Sequence, residues 1–157
     1  MEYSLFMIKP CAYDKKDEIL DMISKKMYIL SVTNIILSEE FLEKLYRNEK
    51  DSNFKKANIQ FLKNGKACLG IVSGNHAIQD LIDLCGDKPV GSMCKEDTIR
   101  NRYSPKIDRL MVGEQLLFIN AIHKSDVNDA KDDVDLYYSY FSNNKKDKIY
   151  HYEMIEK

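Results

Sequence analysis

The 157-residue chain reads as an α+β domain of the split βαβ, ferredoxin-like type: a four-stranded antiparallel sheet with helices packed on it and a helical hairpin. Two observations predict this. Four short apolar, β-branched runs are separated by segments whose apolar residues recur at helical spacing. The only long irregular stretch, Asp87 to Arg109, falls late in the chain, and no repeat or linker divides the sequence on either side of it.

Tyr3 to Ile8 is a short apolar strand, stopped by Pro10, which has no amide hydrogen to offer a ladder. Ile19, Leu20, Met22, Ile23 and Met27 then recur as one helical face. Tyr28 to Leu37 is a second strand. Ser38 stands before Glu39 and Glu40, an N-cap with acids in the first turn, where the helix dipole favours them. Two short helices fill Glu39 to Leu62, broken around Lys50 to Asn53. Asn64-Gly65 makes a turn into a third strand, Ala67 to Val72. Ala77, Ile78, Leu81, Ile82 and Cys85 form a helical face closed by Gly86. Leu116 to Ile122 is the fourth strand, and Asp126 caps a last helix through Leu136 and Tyr137. Residues 1–142 are expected to form the domain and 143–157 a polar, Lys-rich surface tail.

Composition bounds the function. At 44% hydrophobic, the chain carries enough apolar material for one core, and a net charge of −1 gives no whole-chain attraction to nucleic acid or to an anionic membrane. No stretch approaches membrane-spanning length. The four cysteines form no CxxC pair and share no zinc-finger spacing with histidine. The opening MEYSLFMIKP has no basic segment followed by a signal-length apolar run, so a cytoplasmic protein with reduced thiols is expected, binding neither nucleic acid nor membrane. A split βαβ nucleic-acid binder would need exposed aromatics and a basic face on its strands, and these strands offer little of either.

The sharpest local feature is Asn120-Ala121-Ile122-His123-Lys124-Ser125-Asp126, at a junction from strand to helix. A histidine there is expected to be exposed at a sheet edge, near helix N-terminal amides that suit an anion. Imidazole is nucleophilic near neutral pH and can accept a phosphoryl group. A lone histidine is more often structural, so the residue alone does not decide.

The segment Asn120–Asp126, followed by Ala130, resembles the active-site signature of nucleoside diphosphate kinases, N-x-x-H-x-S-D followed by Ala. Ile8-Lys9-Pro10 is similar to the family's I-K-P, and Thr98-Ile99-Arg100 to its T-I-R. Three motifs in the right order, from about Ser4 to about Tyr138, make the chain similar to a divergent member. The resemblance implies a nucleoside diphosphate kinase: a γ-phosphoryl group passes from a nucleoside triphosphate to a nucleoside diphosphate through a phosphohistidine on His123. It also implies Mg²⁺ carried on the nucleotide phosphates, with no metal held by protein carboxylates alone, and a homo-oligomer.

Residue by residue, Lys9 matches the lysine that contacts the transferring phosphate and Tyr46 the tyrosine beside the phosphohistidine. Phe54 matches the aromatic residue that stacks on the nucleobase, which suits tolerance of base identity. Arg100 matches the arginine that grips phosphate, Asn120 the asparagine of the sugar and phosphate region, and Ser125 the serine beside the histidine. With one residue missing between His123 and Ala130, Asp133 falls where the family has a glutamate that orients the imidazole; Asp132 and Asp135 are alternative partners.

The chain also departs from the pattern. Ile82 stands where the family has a phosphate-binding arginine, which removes a bond worth about 1.5–3 kcal/mol. Lys88 replaces a threonine; it either supplies the missing charge or is a solvated loop lysine. Asn58 stands at a usually apolar position beside the base. The segment between Arg100 and Asn120 is longer than the family's, with extra material within Ser104–Gln115, Pro105-Lys106-Ile107-Asp108-Arg109 included, near the loop that shapes the active site and subunit contacts. These departures support an alternative, a catalytically weakened member acting as a nucleotide-binding or protein-interaction module.

Overall fold

The structure is a computed structural model that describes residues 1–141 and the backbone of 149–150. The strands of its central sheet are β1 (Glu2–Ile8), β2 (Tyr28–Ile36), β3 (Lys66–Gly74), β6 (Ile122–Lys124) and the two-residue β7 (Ile149–Tyr150). They lie in the order β6-β1-β3-β2-β7, every neighbour antiparallel. The first four carry the α+β fold expected from the sequence.

β1 is apolar without alternation because both of its faces are covered. Phe6 and Ile8 enter one core with Ile19, Ile23, Val72 and Leu81, while Leu5 and Met7 enter a second with Phe41, Leu42, Leu69 and Tyr137. The first core lies under α1 (Lys16–Ser24) and α4 (Ala77–Cys85). The second lies under α2 (Glu39–Leu45), α3 (Ser52–Leu62) and α6 (Ala130–Phe141). α1 follows a 3₁₀ segment, Pro10–Lys15, whose first residue gives up an amide that no helix would use. Ser38 Oγ accepts from the Phe41 amide at 3.1 Å, and Asp51 caps α3 through the Phe54 amide at 3.0 Å. Two buried hydroxyls of β2, Ser31 and Thr33, are both satisfied by the Tyr137 hydroxyl, at 2.8 and 2.6 Å.

Three expectations need correction. The apolar run Leu116–Ile122 is not one strand. Its first part is β5 (Gln115–Phe118), which folds back on β4 (Arg109–Val112) as a separate hairpin, and the sheet's fourth strand is the shorter β6. Gly113, at φ +61, supplies the turn that makes this possible. Hydrophobic pattern alone could not see the break, because both halves are apolar. The irregular segment also contains a short helix, α5 (Ile99–Tyr103), capped by Thr98. Finally, α6 begins at Ala130; Asp126 lies in the preceding turn, where its carbonyl takes the amides of Asp129 and Ala130. The expected polar tail lies outside the described residues, the β7 backbone excepted. Among the described residues no helix is long and apolar enough to cross a membrane.

Candidate active site

The ends of β1 and β6 build the site. Met7 pairs with His123 in the ladder, and the Lys9 amide donates to the Ala121 carbonyl at 2.9 Å, so the lysine after β1 and the histidine of β6 are fixed relative to each other by backbone bonds. Lys9 Nζ donates to Asn120 Oδ1 at 3.0 Å, and Asn120 Nδ2 donates to the Pro89 carbonyl at 2.9 Å. Beside them opens a cleft of about 480 Å³, within the range of ligand sites. Of the residues read from the sequence, His123, Lys9, Asn120, Tyr46, Phe54 and Asp133 line it.

His123 is half-buried rather than exposed as expected, and its Nε2 is buried without a hydrogen-bond partner among the described residues. The Tyr46 ring stands edge-on to it, centroids 5.3 Å apart. Burial, reinforced by Lys9, Lys124 and Arg100, pushes the imidazole pKa well below its ordinary value, so at neutral pH the ring is uncharged and keeps a lone pair. Burial and the nearby Arg100 also hold the Lys9 ammonium down to about 7. The two groups are thus set for different tasks: a polyanion beside Lys9 would restore its charge, while the uncharged imidazole keeps the lone pair a nucleophile needs. The Tyr46 phenol is pushed up to about 12 by burial, against a hydrogen bond with Asn58.

Arg100 is the largest surprise. Its motif assigns it to phosphate, yet its buried guanidinium does not line the cleft. Nε and Nη2 donate to the Ile122 carbonyl at 3.1 and 3.0 Å, and Nη1 donates to the Lys88 carbonyl at 2.9 Å. It therefore clamps the backbone immediately before His123 to the loop after α4, while its charge still acts on Lys9 and His123. Lys88 contributes that carbonyl; its side chain is exposed and is not in the cleft wall, where Pro89 stands instead. Ile82 is half-buried on α4 and does not line the cleft either.

On the other side, Ser125 is buried and its Oγ donates to Asp133 Oδ2 at 2.6 Å; the other carboxylate oxygen takes Arg47 Nη1 at 2.9 Å. Asp133, expected to orient the imidazole, is thus held by Ser125 and Arg47, because its short side chain is occupied by both. Burial raises its pKa, and the serine and arginine oppose the rise. Sequence reading missed Arg47, which carries no motif and acts through a partner far along the chain. It also missed Phe118, which lines the cleft from the β4–β5 hairpin; an aromatic residue beside the inserted segment was the available signal. Among the described residues no group of three or more His, Cys, Asp or Glu could hold a metal ion. Asp126 and Asp129 line the cleft but are engaged, with Lys124 at 3.5 Å and Asn48 at 2.8 Å.

Comparison with known proteins identifies the family and the fold. The family model described as nucleoside diphosphate kinase matches residues 2–143. A nucleoside diphosphate kinase of Streptococcus uberis is 28% identical over 150 residues, covering 93% of this chain and all of the relative. A nucleoside diphosphate kinase family protein of Babesia bovis superposes with a TM-score of 0.74 at 21% identity, covering 98% of this chain and 95% of that one. The Borrelia burgdorferi nucleoside-diphosphate kinase, a transition state mimic with bound vanadate and ADP, gives 0.71 at 19% identity, covering 97% and 92%. At these identities the structural likeness speaks for the fold.

Proposed function

The chain belongs to the nucleoside diphosphate kinase family, and on that premise we propose that it transfers the γ-phosphoryl group of a nucleoside triphosphate to a nucleoside diphosphate through His123. The observation that carries the reading is the His123 imidazole on the wall of the same cleft as Lys9 and Asn120, with the two strand ends tied together by backbone and side-chain bonds. In the first half-reaction His123 attacks the γ-phosphorus, the bond to the β,γ-bridging oxygen breaks, and the diphosphate leaves. In the second, a different diphosphate attacks the phosphohistidine and leaves as triphosphate. The protein's part is position and charge: Lys9 regains its proton against the phosphate oxygens, and the charge of Arg100 adds to the field from behind the strand.

A metal ion fits as part of the substrate, on the nucleotide phosphates, since the carboxylates in the cleft wall are already engaged. The Borrelia relative, with vanadate and ADP bound, supports nucleotide as the ligand class. The alternative of a binding module without catalysis draws on Ile82 and the exposed Lys88; the intact His123, Lys9 and Asn120 wall argues against it. Incubation with γ-labelled ATP tests the proposal. An acid-labile phosphoprotein that passes its label to added nucleoside diphosphate is expected, and a chain that binds nucleotide but never becomes labelled would refute it.

A further inference from the structure

The cleft is short of positive charge for a polyphosphate. Among the described residues Lys9 is the one lysine or arginine in its wall, which Glu49, Asp126, Asp129 and Asp133 also line. Arg100 is spent on the Ile122 and Lys88 carbonyls, Arg47 is spent on Asp133, and the Lys88 side chain is exposed outside the wall. A di- or triphosphate brings several negative charges, and a single lysine leaves most of them facing carboxylates.

Lys124 stands at the rim with its charge loosely held. It follows His123 and ends β6. Strand alternation sends its stem to the face opposite His123: its ladder partner is Phe6, and α4 packs on that side. The side chain is 13% exposed, so the methylenes are covered while the ammonium reaches Asp126 of the cleft wall at 3.5 Å. A firm ammonium–carboxylate bond is about 2.7–2.9 Å long. Asp126 is itself exposed, and among the described residues it is the one acceptor this ammonium has. A largely covered ammonium with a single loose acceptor can exchange it for a better one. Its charge already acts on both Lys9 and His123. We propose that Lys124 is a second phosphate-binding cation of this cleft: when a nucleoside di- or triphosphate enters, its ammonium leaves Asp126 and takes the phosphate oxygens nearest His123. Lys124 then supplies the charge that Ile82 lacks and that Arg100 and Lys88 do not bring to the wall. The proposal rests on the kinase reading above, with the phosphates at Lys9 and His123.

Calorimetric titration with ADP and AMP, which share base and sugar, tests it. Lys124→Met is expected to weaken ADP about tenfold and AMP by less than about twofold, because the phosphate that ADP adds is the one nearer His123. Lys124→Arg keeps a charge and is expected to bring ADP affinity back to within about threefold of wild type. Should Lys124→Met fail to fold, Lys124→Gln, which keeps a stem and can still pair with Asp126, is read in the same way. ADP affinity within about twofold of wild type in the uncharged variant overturns the inference. Equal weakening of ADP and AMP also overturns it, since a merely structural lysine would act on both. In either case labelling of the wild-type chain by γ-labelled ATP leaves the kinase reading standing. A wild-type chain that binds no nucleoside diphosphate overturns the reading, and the inference with it.

Discussion

The two arginines near the nucleophile make an instructive pair. Arg100 belongs to a family-like motif and spends its guanidinium on two backbone carbonyls; Arg47 belongs to no motif and spends its own on a carboxylate. One braces the strand that carries His123, the other the helix that faces it. A motif residue and an unremarked one thus do parallel work on opposite sides of the site. The identity of a residue in a motif does not reveal whether its charge meets a ligand or the protein's own backbone.

Substitutions can break that parallel, beginning with the residue both sides support. His123→Ala is expected to abolish labelling by γ-labelled ATP, a loss of at least about 10³-fold, with the fold retained by circular dichroism. Arg100→Lys keeps the charge but cannot span the Ile122 and Lys88 carbonyls. It should destabilise by about 1–3 kcal/mol, seen as a lower melting temperature, and reduce phosphotransfer beyond what a retained charge would allow. Wild-type stability and activity would mean that the clamp is idle.

Lys9 separates binding from stability. Its ammonium is held down to about 7 from 10.5. Between those values the unfolded chain binds the proton more tightly than the folded one, so this residue makes stability rise with pH across that window. Lys9→Met is therefore expected to melt higher at neutral pH while binding ADP more weakly. In the wild type, bound polyphosphate favours the charged ammonium, so ADP affinity should fall from about pH 7 to about pH 9, by at most about tenfold per unit, and the slope should flatten in Lys9→Arg. A slope unchanged by that substitution would assign the proton to another group. The smallest effect is expected at Lys88: Lys88→Thr should leave kinetics within about twofold of wild type, because only its carbonyl is used.

These contrasts show what the sequence could carry. The helical face of Ala77, Leu81 and Cys85, the Ser38 cap and the continuous apolar run of β1 arise from local pattern, and all are found. Motif residues on the strand ends, Lys9, Asn120 and His123, were legible because β1 and β6 are neighbours and the backbone fixes their spacing. The β5–β6 break was not legible, since both halves are apolar and only the turn at Gly113 and the pairing with Arg109–Val112 distinguish them. Nor was the destination of a long polar side chain. Arg100 was assigned to phosphate and Asp133 to the imidazole, yet the first meets the Ile122 and Lys88 carbonyls and the second meets Ser125 and Arg47, partners that only the folded chain brings within reach.

The clamp on Ile122 has one more consequence. Leu5 accepts from the Ser125 amide and Ala121 from the Lys9 amide, so the backbone groups of 121, 123 and 125 face β1 and those of Ile122 face outward. An outward carbonyl on a terminal strand is a template on which a foreign chain can add. Arg100 occupies it with two donors from the same molecule. The side chain that braces the nucleophile thereby also blunts an edge, so loss of Arg100 should be felt in the test tube as a tendency to aggregate as well as in the rate.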